Sequence, residues 1–305
     1  MSNVQPTVIA VLCSDLHICH EPPMCRSDEP NWYATMAGYF QQLKDLSLQY
    51  RVPIICAGDV FDRWQSIPEL INFAIEHLPA MYAIPGQHDL PYHGMEAIKR
   101  SAYWSLVGAG VLSHLTRPTK LDDVNLAVHP FPWNAEASPI TPFEGCVNLA
   151  LIHRYCWVKE HSYVGADQIN HAKILLNAYG AADVLHFGDN HSGFLLAKEH
   201  RTILNTGTFM RRTVSEVDYR PRVGLLHDDG SVVLHYLDTS SDVMSFTTKL
   251  QGADIDDVDV VDFVRSLKLT EQDSIDFVDL LKQKAADECK EVQDAIRLII
   301  ELASA

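Results

Sequence analysis

Residues 8–17 read VIAVLCSDLH: six apolar residues, then a serine, then Asp-x-His. A six-residue apolar run has the length of a buried β-strand and is far short of a membrane span. Asp15 and His17 stand just past its end, where a strand gives way to a turn. The same punctuation recurs. Val52–Ala57 is apolar and runs into Gly58-Asp59. Ala80–Ile84 runs into Pro85-Gly86-Gln87-His88-Asp89, where Gly86 is expected to supply a positive φ. Val147–Ile152 ends in His153, and Val184–Phe187 ends in Gly188-Asp189-Asn190-His191.

Helical spacing fills the gaps between these strands. From Asn31 to about Tyr50, Trp32, Met36, Tyr39, Phe40, Leu43 and Leu46 fall on one face. Pro68–His77 opens with a proline, where the missing N–H costs little. Further helices are expected over about 95–107 and over Ala172–Tyr179, another strand over Val124–Val128, and a hairpin of Val223–His227 with Ser231–Leu237. Strands alternating with helices define an α/β fold. In such folds ligands collect beyond the carboxyl ends of the strands. A single His or Gly-Asp after a strand is commonplace; five strand ends bearing Asp, His or Gln predict a metal centre.

Composition bounds the rest. The chain has 305 residues, 47% of them apolar, as in ordinary globular proteins. Its seven cysteines form no disulfide framework or zinc pattern, which fits free thiols in a reducing compartment. The amino terminus lacks a basic segment followed by a long apolar run, so a cytoplasmic protein without membrane contact is expected. The net charge of −16 excludes a chain that holds nucleic acid by its overall field. Half of that charge, −8, lies in residues 251–305.

The ordered motifs Ser14-Asp15-Leu16-His17, Gly58-Asp59-Val60-Phe61-Asp62-Arg63, Gly86-Gln87-His88-Asp89, His153 and Gly188-Asp189-Asn190-His191 resemble those of calcineurin-like metallophosphoesterases. The resemblance spans residues 8 to about 240. It implies a four-layer αββα sandwich. It also implies a first metal on Asp15, His17, Asp59 and His191, and a second on Asp59, Gln87, His153 and Asp189. His88 becomes the group that stabilises phosphoryl oxygens or protonates the leaving oxygen, oriented by Asp89. Asp62 and Arg63 stand behind the ligands, with Arg63 paired to a carboxylate. Two positions depart from the family pattern: Gln87 replaces Asn, and Asp189 replaces His. Both changes fall on the second metal. More oxygen and less nitrogen favours Mn²⁺, with Mg²⁺ next, over Zn²⁺ or Fe.

Within that family the chain is most similar to SbcD-type DNA-repair exonucleases, on the first two motifs and on Asn205-Thr-Gly-Thr-Phe-Met-Arg-Arg212. That likeness implies a Mn²⁺-dependent DNA nuclease working with an SMC-like ATPase, and a homodimer. Arg211 and Arg212, with Arg220 and Arg222, are then candidate phosphate contacts, and Tyr92 and His93 candidate cleft residues. The alternatives are a stand-alone phosphodiesterase or phosphatase on small nucleotides or phosphoproteins, and a non-catalytic scaffold. The expected organisation is a catalytic domain over 1–240, an acidic linker over 241–259 and a helical, partner-binding region over 260–305. The chain has no G-x-x-x-x-G-K-[ST], so any ATPase is a separate protein.

Overall fold

The computed structural model describes residues 6–159, 166–198, 200–213 and 216–245. Residues 246–305 lie outside the described residues, and with them most of the expected linker and the helices over 260–305.

Two six-stranded sheets form the centre. The first is built on β1 (Val8–Cys13), β2 (Ile54–Cys56), β3 (Met81–Ala83) and β4 (Leu112–His114), all parallel. The hairpin β11 (Arg222–His227) and β12 (Val232–Tyr236) extends it, with β11 antiparallel to β1. The second sheet runs β5 (Thr119–Leu121), β6 (Leu126–Phe131), β7 (Val147–His153), β8 (Val184–Gly188), β10 (Arg201–Asn205) and β9 (Phe194–Lys198). There β6, β7, β8 and β10 are parallel.

Side-chain alternation builds the layers, because successive strand residues face opposite sides. In β1, Ala10 and Leu12 enter the core between the sheets, where they meet Leu149 and Leu151 of β7. Val11 and Cys13 face outward into a core shared with α1 (Trp32–Tyr50), α2 (Pro68–His77) and α3 (Ala102–Gly108). In β7, Ala150 and Ile152 face the opposite way, onto α4 (Ala172–Ala178). The result is the α/β/β/α sandwich. Both faces of each sheet are covered, so the central strands read as continuous apolar runs.

The expected helix over 95–107 does not form as one piece. A 3₁₀ segment, Met95–Arg100, stops at Ser101, which is extended (φ −94°, ψ 160°). The Ser101 side chain accepts from the Trp104 N–H and starts α3 afresh. The strand expected from Val124 begins at Leu126, because Asn125 takes the left-handed conformation (φ 50°).

One ionic cluster pins the chain near its last described residues. Arg26 is fully buried. It donates to Glu29, to Asp242 (2.8 Å) and to the Arg211 carbonyl. Asp242 also accepts from Arg211 Nε (2.9 Å) and Tyr39 OH (2.8 Å). The packed chain therefore continues through the first residues of the expected linker.

Candidate metal centre

Parallel pairing brings the carboxyl ends of five strands to one edge of the sandwich: β1, β2 and β3 from one sheet, β7 and β8 from the other. Asp15, His17, Asp59, Gln87, His153, Asp189 and His191 all lie at or just beyond those ends. The turns are knitted together by their backbones. Asp15 N–H donates to Gly58 O (3.0 Å), and His17 N–H donates to Asp59 O (3.0 Å). Asp15, His17, Asp59 and Asp189 have positive φ of 54°, 46°, 51° and 84°. Non-glycine residues pay strain for that conformation, and such strain concentrates at functional sites.

Gly86 does not supply the positive φ expected of it; its φ is −92°. Space is the reason for a glycine here. A Cβ on Gly86 would lie 2.6 Å from the Asp59 backbone nitrogen. Gly188 is constrained in the same way, since its Cβ would meet Ala57 O at 2.6 Å and His153 Nδ1 at 2.7 Å.

The side chains converge. His17 Nε2 stands 3.0 Å from His191 Nε2 and 3.8 Å from Asp59 Oδ2. Asp15 Oδ1 is 4.0 Å from His191 Nε2. On the other side of Asp59, His153 Nε2 lies 3.4 Å from Asp59 Oδ2 and 2.6 Å from Gln87 Oε1. The Gln87 amide nitrogen donates to Asp189 Oδ1 at 2.8 Å. Asp15 and Asp59 are completely buried, yet Asp15 Oδ2 and Asp59 Oδ2 have no hydrogen-bond partner. Buried carboxylate oxygens are costly to leave unpaired. Two such oxygens among four imidazole and amide ligand atoms fit divalent cations.

The two buried histidines differ in their electrostatics. Burial pushes His17 down to about 3, so its ring is neutral and ready to ligate. Burial works against a charge on His153 as well, but the Asp59 carboxylate outweighs it and raises His153 to about 10. Its Nδ1 is 2.6 Å from Ala57 O, which fixes Nδ1–H as donor and leaves Nε2 to face Asp59 and Gln87.

Around this centre the structure reassigns several roles. Asp89 does not orient His88: its carboxylate accepts from the Val60, Phe61 and Gly86 N–H groups at 3.0–3.2 Å. It ties two ligand loops together. Burial, then repulsion from Asp59, pushes it up to about 7. His88 is positioned by Asp62 O, 2.8 Å from its Nδ1, and by its own N–H on Asp59 Oδ1. Its ring packs edge-on to His17 at 4.9 Å. The partner of Asp62 is Arg212, not Arg63, which is exposed. Contact with His17 and Arg212 holds the Asp62 carboxyl below its ordinary range despite burial.

The expected row of four arginines breaks up. Arg211 is committed to Asp242; Arg222 donates to Ser192 O and Thr206 O; Arg220 stacks on Tyr236. Only Arg212 reaches Asp62. Tyr92 and His93 both sit at positive φ (53° and 58°), and Tyr92 is 78% exposed beside Trp64 (ring centroids 5.7 Å). Ser14 and Thr206 are further members of the site's framework. Their hydroxyls pair at 2.8 Å, and Phe209 N–H donates to Asp15 O, so the β10 end braces the first motif. The Asn-Thr-Gly-Thr segment carried that signal.

A two-sheet α/β sandwich with Asp, His and Gln gathered at its strand ends defines a metal-dependent phosphoesterase. The model of the calcineurin-like phosphoesterase family matches residues 10–193, more than half of the chain. The chain belongs to that family. No curated protein matches it. Among solved structures it is similar to an archaeal phosphodiesterase (12% identity, 75% of this chain and 99% of that one, TM-score 0.38). It is also similar to a putative 5′-nucleotidase from Staphylococcus aureus (13% identity, 77% and 52%, TM-score 0.44). A third is a metallophosphoesterase from Sphaerobacter thermophilus (16% identity, 75% and 88%, TM-score 0.37).

Proposed function

We propose that the chain hydrolyses phosphodiester bonds in DNA as a two-metal, Mn²⁺-dependent nuclease of the SbcD type. The observation that carries the reading is the pair of buried, unpartnered oxygens on Asp15 and Asp59, ringed by His17, His153, His191 and Gln87. Two divalent cations supply Lewis acidity and a reactive water at neutral pH. Asp15, His17, Asp59 and His191 would hold the first, and Asp59, Gln87, His153 and Asp189 would hold the second. His88 stabilises the phosphoryl oxygens or gives a proton to the leaving oxygen from Nε2, while Asp62 O holds its Nδ1–H. Arg212, anchored on Asp62, offers a guanidinium to the phosphate.

The likeness to SbcD-type proteins supports DNA as substrate and Mn²⁺ as metal. Partnership with an SMC-like ATPase through residues 260–305, and a homodimer, belong to the same proposal. One observation favours a shorter substrate, a small nucleotide ester: three of the four clustered arginines are committed elsewhere, which leaves no long phosphate track.

Hydrolysis in Mn²⁺ of labelled DNA and of bis-p-nitrophenyl phosphate tests the reading. Cleavage of both is expected, with kcat lower by about 10²–10⁴ in His88→Ala. Turnover of the small diester with DNA left intact supports the shorter substrate. Activity unaffected by His88→Ala contradicts the assigned role.

A further inference from the structure

A cavity of about 340 Å³ lies against the rim of the candidate centre. Asp62 and Arg212 form the shared wall, so whatever enters the cavity borders the side chain that flanks His17. The size is at the lower end of small-ligand pockets, about 300–1,000 Å³. It suits one compact organic unit.

The lining is mixed in character. Arg212 and Arg63 bring two guanidinium groups to the lining and Asp62 and Glu21 two carboxylates, with Arg212 paired to Asp62 at the wall shared with the metal centre. Arg212 Nε is buried without a hydrogen-bond partner. Ile18 and Leu70, both buried, give an apolar wall. Gln65 and Ser66 add neutral hydrogen-bonding groups. Burial pushes the Cys19 thiol, on the same wall, up to about 11, so it is a packing group and not a nucleophile. With guanidinium groups, apolar side chains and neutral amide and hydroxyl groups in one recess, the cavity matches a phosphate carrying a flat heterocycle. A phosphopeptide needs an open, extended groove and no such apolar recess.

We propose that this cavity is the subsite for the nucleoside next to the scissile phosphate, with the phosphate at Arg212 and Arg63 and the base against Ile18 and Leu70. The inference rests on the phosphoesterase reading and names its substrate class, a nucleoside phosphate. That unit can be a free mononucleotide or the terminal residue of a DNA strand.

Calorimetric titration of the full chain in Mn²⁺ tests it, with thymidine 5′-monophosphate, inorganic phosphate, O-phosphoserine and a 5′-phosphorylated oligothymidylate as probes. The mononucleotide is expected to bind at least about tenfold tighter than phosphate, the size of one good base contact. Gln65→Trp and Ser66→Trp, which fill the cavity, are expected to reduce that ratio to within about twofold. An oligonucleotide that shares the advantage identifies a strand end; a mononucleotide that holds it alone identifies a free nucleotide. Equal binding of mononucleotide and phosphate overturns the inference. So does an advantage that survives both tryptophan variants, or O-phosphoserine binding as tightly as the mononucleotide. Failure of the phosphoesterase reading shows separately, as no hydrolysis of bis-p-nitrophenyl phosphate.

Discussion

Asp59 faces both halves of the centre, with Oδ2 3.8 Å from His17 Nε2 and 3.4 Å from His153 Nε2. Its loop cannot retreat, because Gly86 is packed on its backbone nitrogen. Gln87 and Asp189 both depart from the family pattern, and they are in contact: the Gln87 amide nitrogen donates to Asp189 Oδ1. Its oxygen is thereby turned to His153. Replacing the carboxylate by an imidazole removes a hard oxygen and adds a nitrogen ligand. Asp189→His is therefore expected to raise the ratio of Zn²⁺-supported to Mn²⁺-supported hydrolysis, by about tenfold or more, at fixed metal concentration. An unchanged ratio shows that Asp189 is not a ligand.

Among the elements, β8 carries a pH dependence. His186 lies in its middle, fully buried, with Nε2 2.9 Å from Cys13 O. Burial pushes it down to about 4. The unfolded chain, with an ordinary histidine near 6.5, takes up the proton first as the pH falls. Stability from this residue is thus complete above pH 6.5 and is lost between 6.5 and 4. Urea unfolding is expected to show about 2 kcal/mol less stability at pH 5 than at pH 7.5 from this group alone. His186→Gln is expected to flatten that slope; a parallel slope contradicts the assignment. The Arg26–Asp242–Arg211 cluster makes a second prediction. Asp242→Ala removes the carboxylate that Arg26 and Arg211 share, leaving Arg26 with Glu29 alone and Arg211 with backbone carbonyls, and is expected to cost about 3–5 kcal/mol in urea unfolding. A loss under 1 kcal/mol would mean that the cluster is solvated. The cluster also shows where sequence reading stops. Arg211 looks like a phosphate contact in an Arg-Arg pair, and Asp242 looks like the start of a polar linker. Only the fold places them against the same buried Arg26. The periodicity of α1, by contrast, was legible residue by residue, since Trp32, Met36, Tyr39, Phe40, Leu43 and Leu46 are all buried. The strand β9 was not, because its pattern is that of an exposed edge (one buried residue, then largely exposed ones).

At the scale of the molecule, the five strand ends were readable because parallel strands put their carboxyl termini on one side, whatever the loops between them do. The seven candidate ligands lie at or just beyond those ends. The shell behind them was not readable. Asp89 follows His88 in sequence, yet burial and three backbone N–H groups claim its carboxylate, while a carbonyl from a different loop positions His88. Contacts between loops have no signature along the chain. Among the described residues no helix is long and apolar enough to cross a membrane. The stoichiometry of bound Mn²⁺ tests whether the site takes two cations with Asp59 as a ligand common to both. Equilibrium dialysis of the full chain is expected to give about two Mn²⁺ per chain, falling to about one or fewer in Asp59→Asn. One ion or none in the unaltered chain, or two retained without the Asp59 carboxylate, would contradict it.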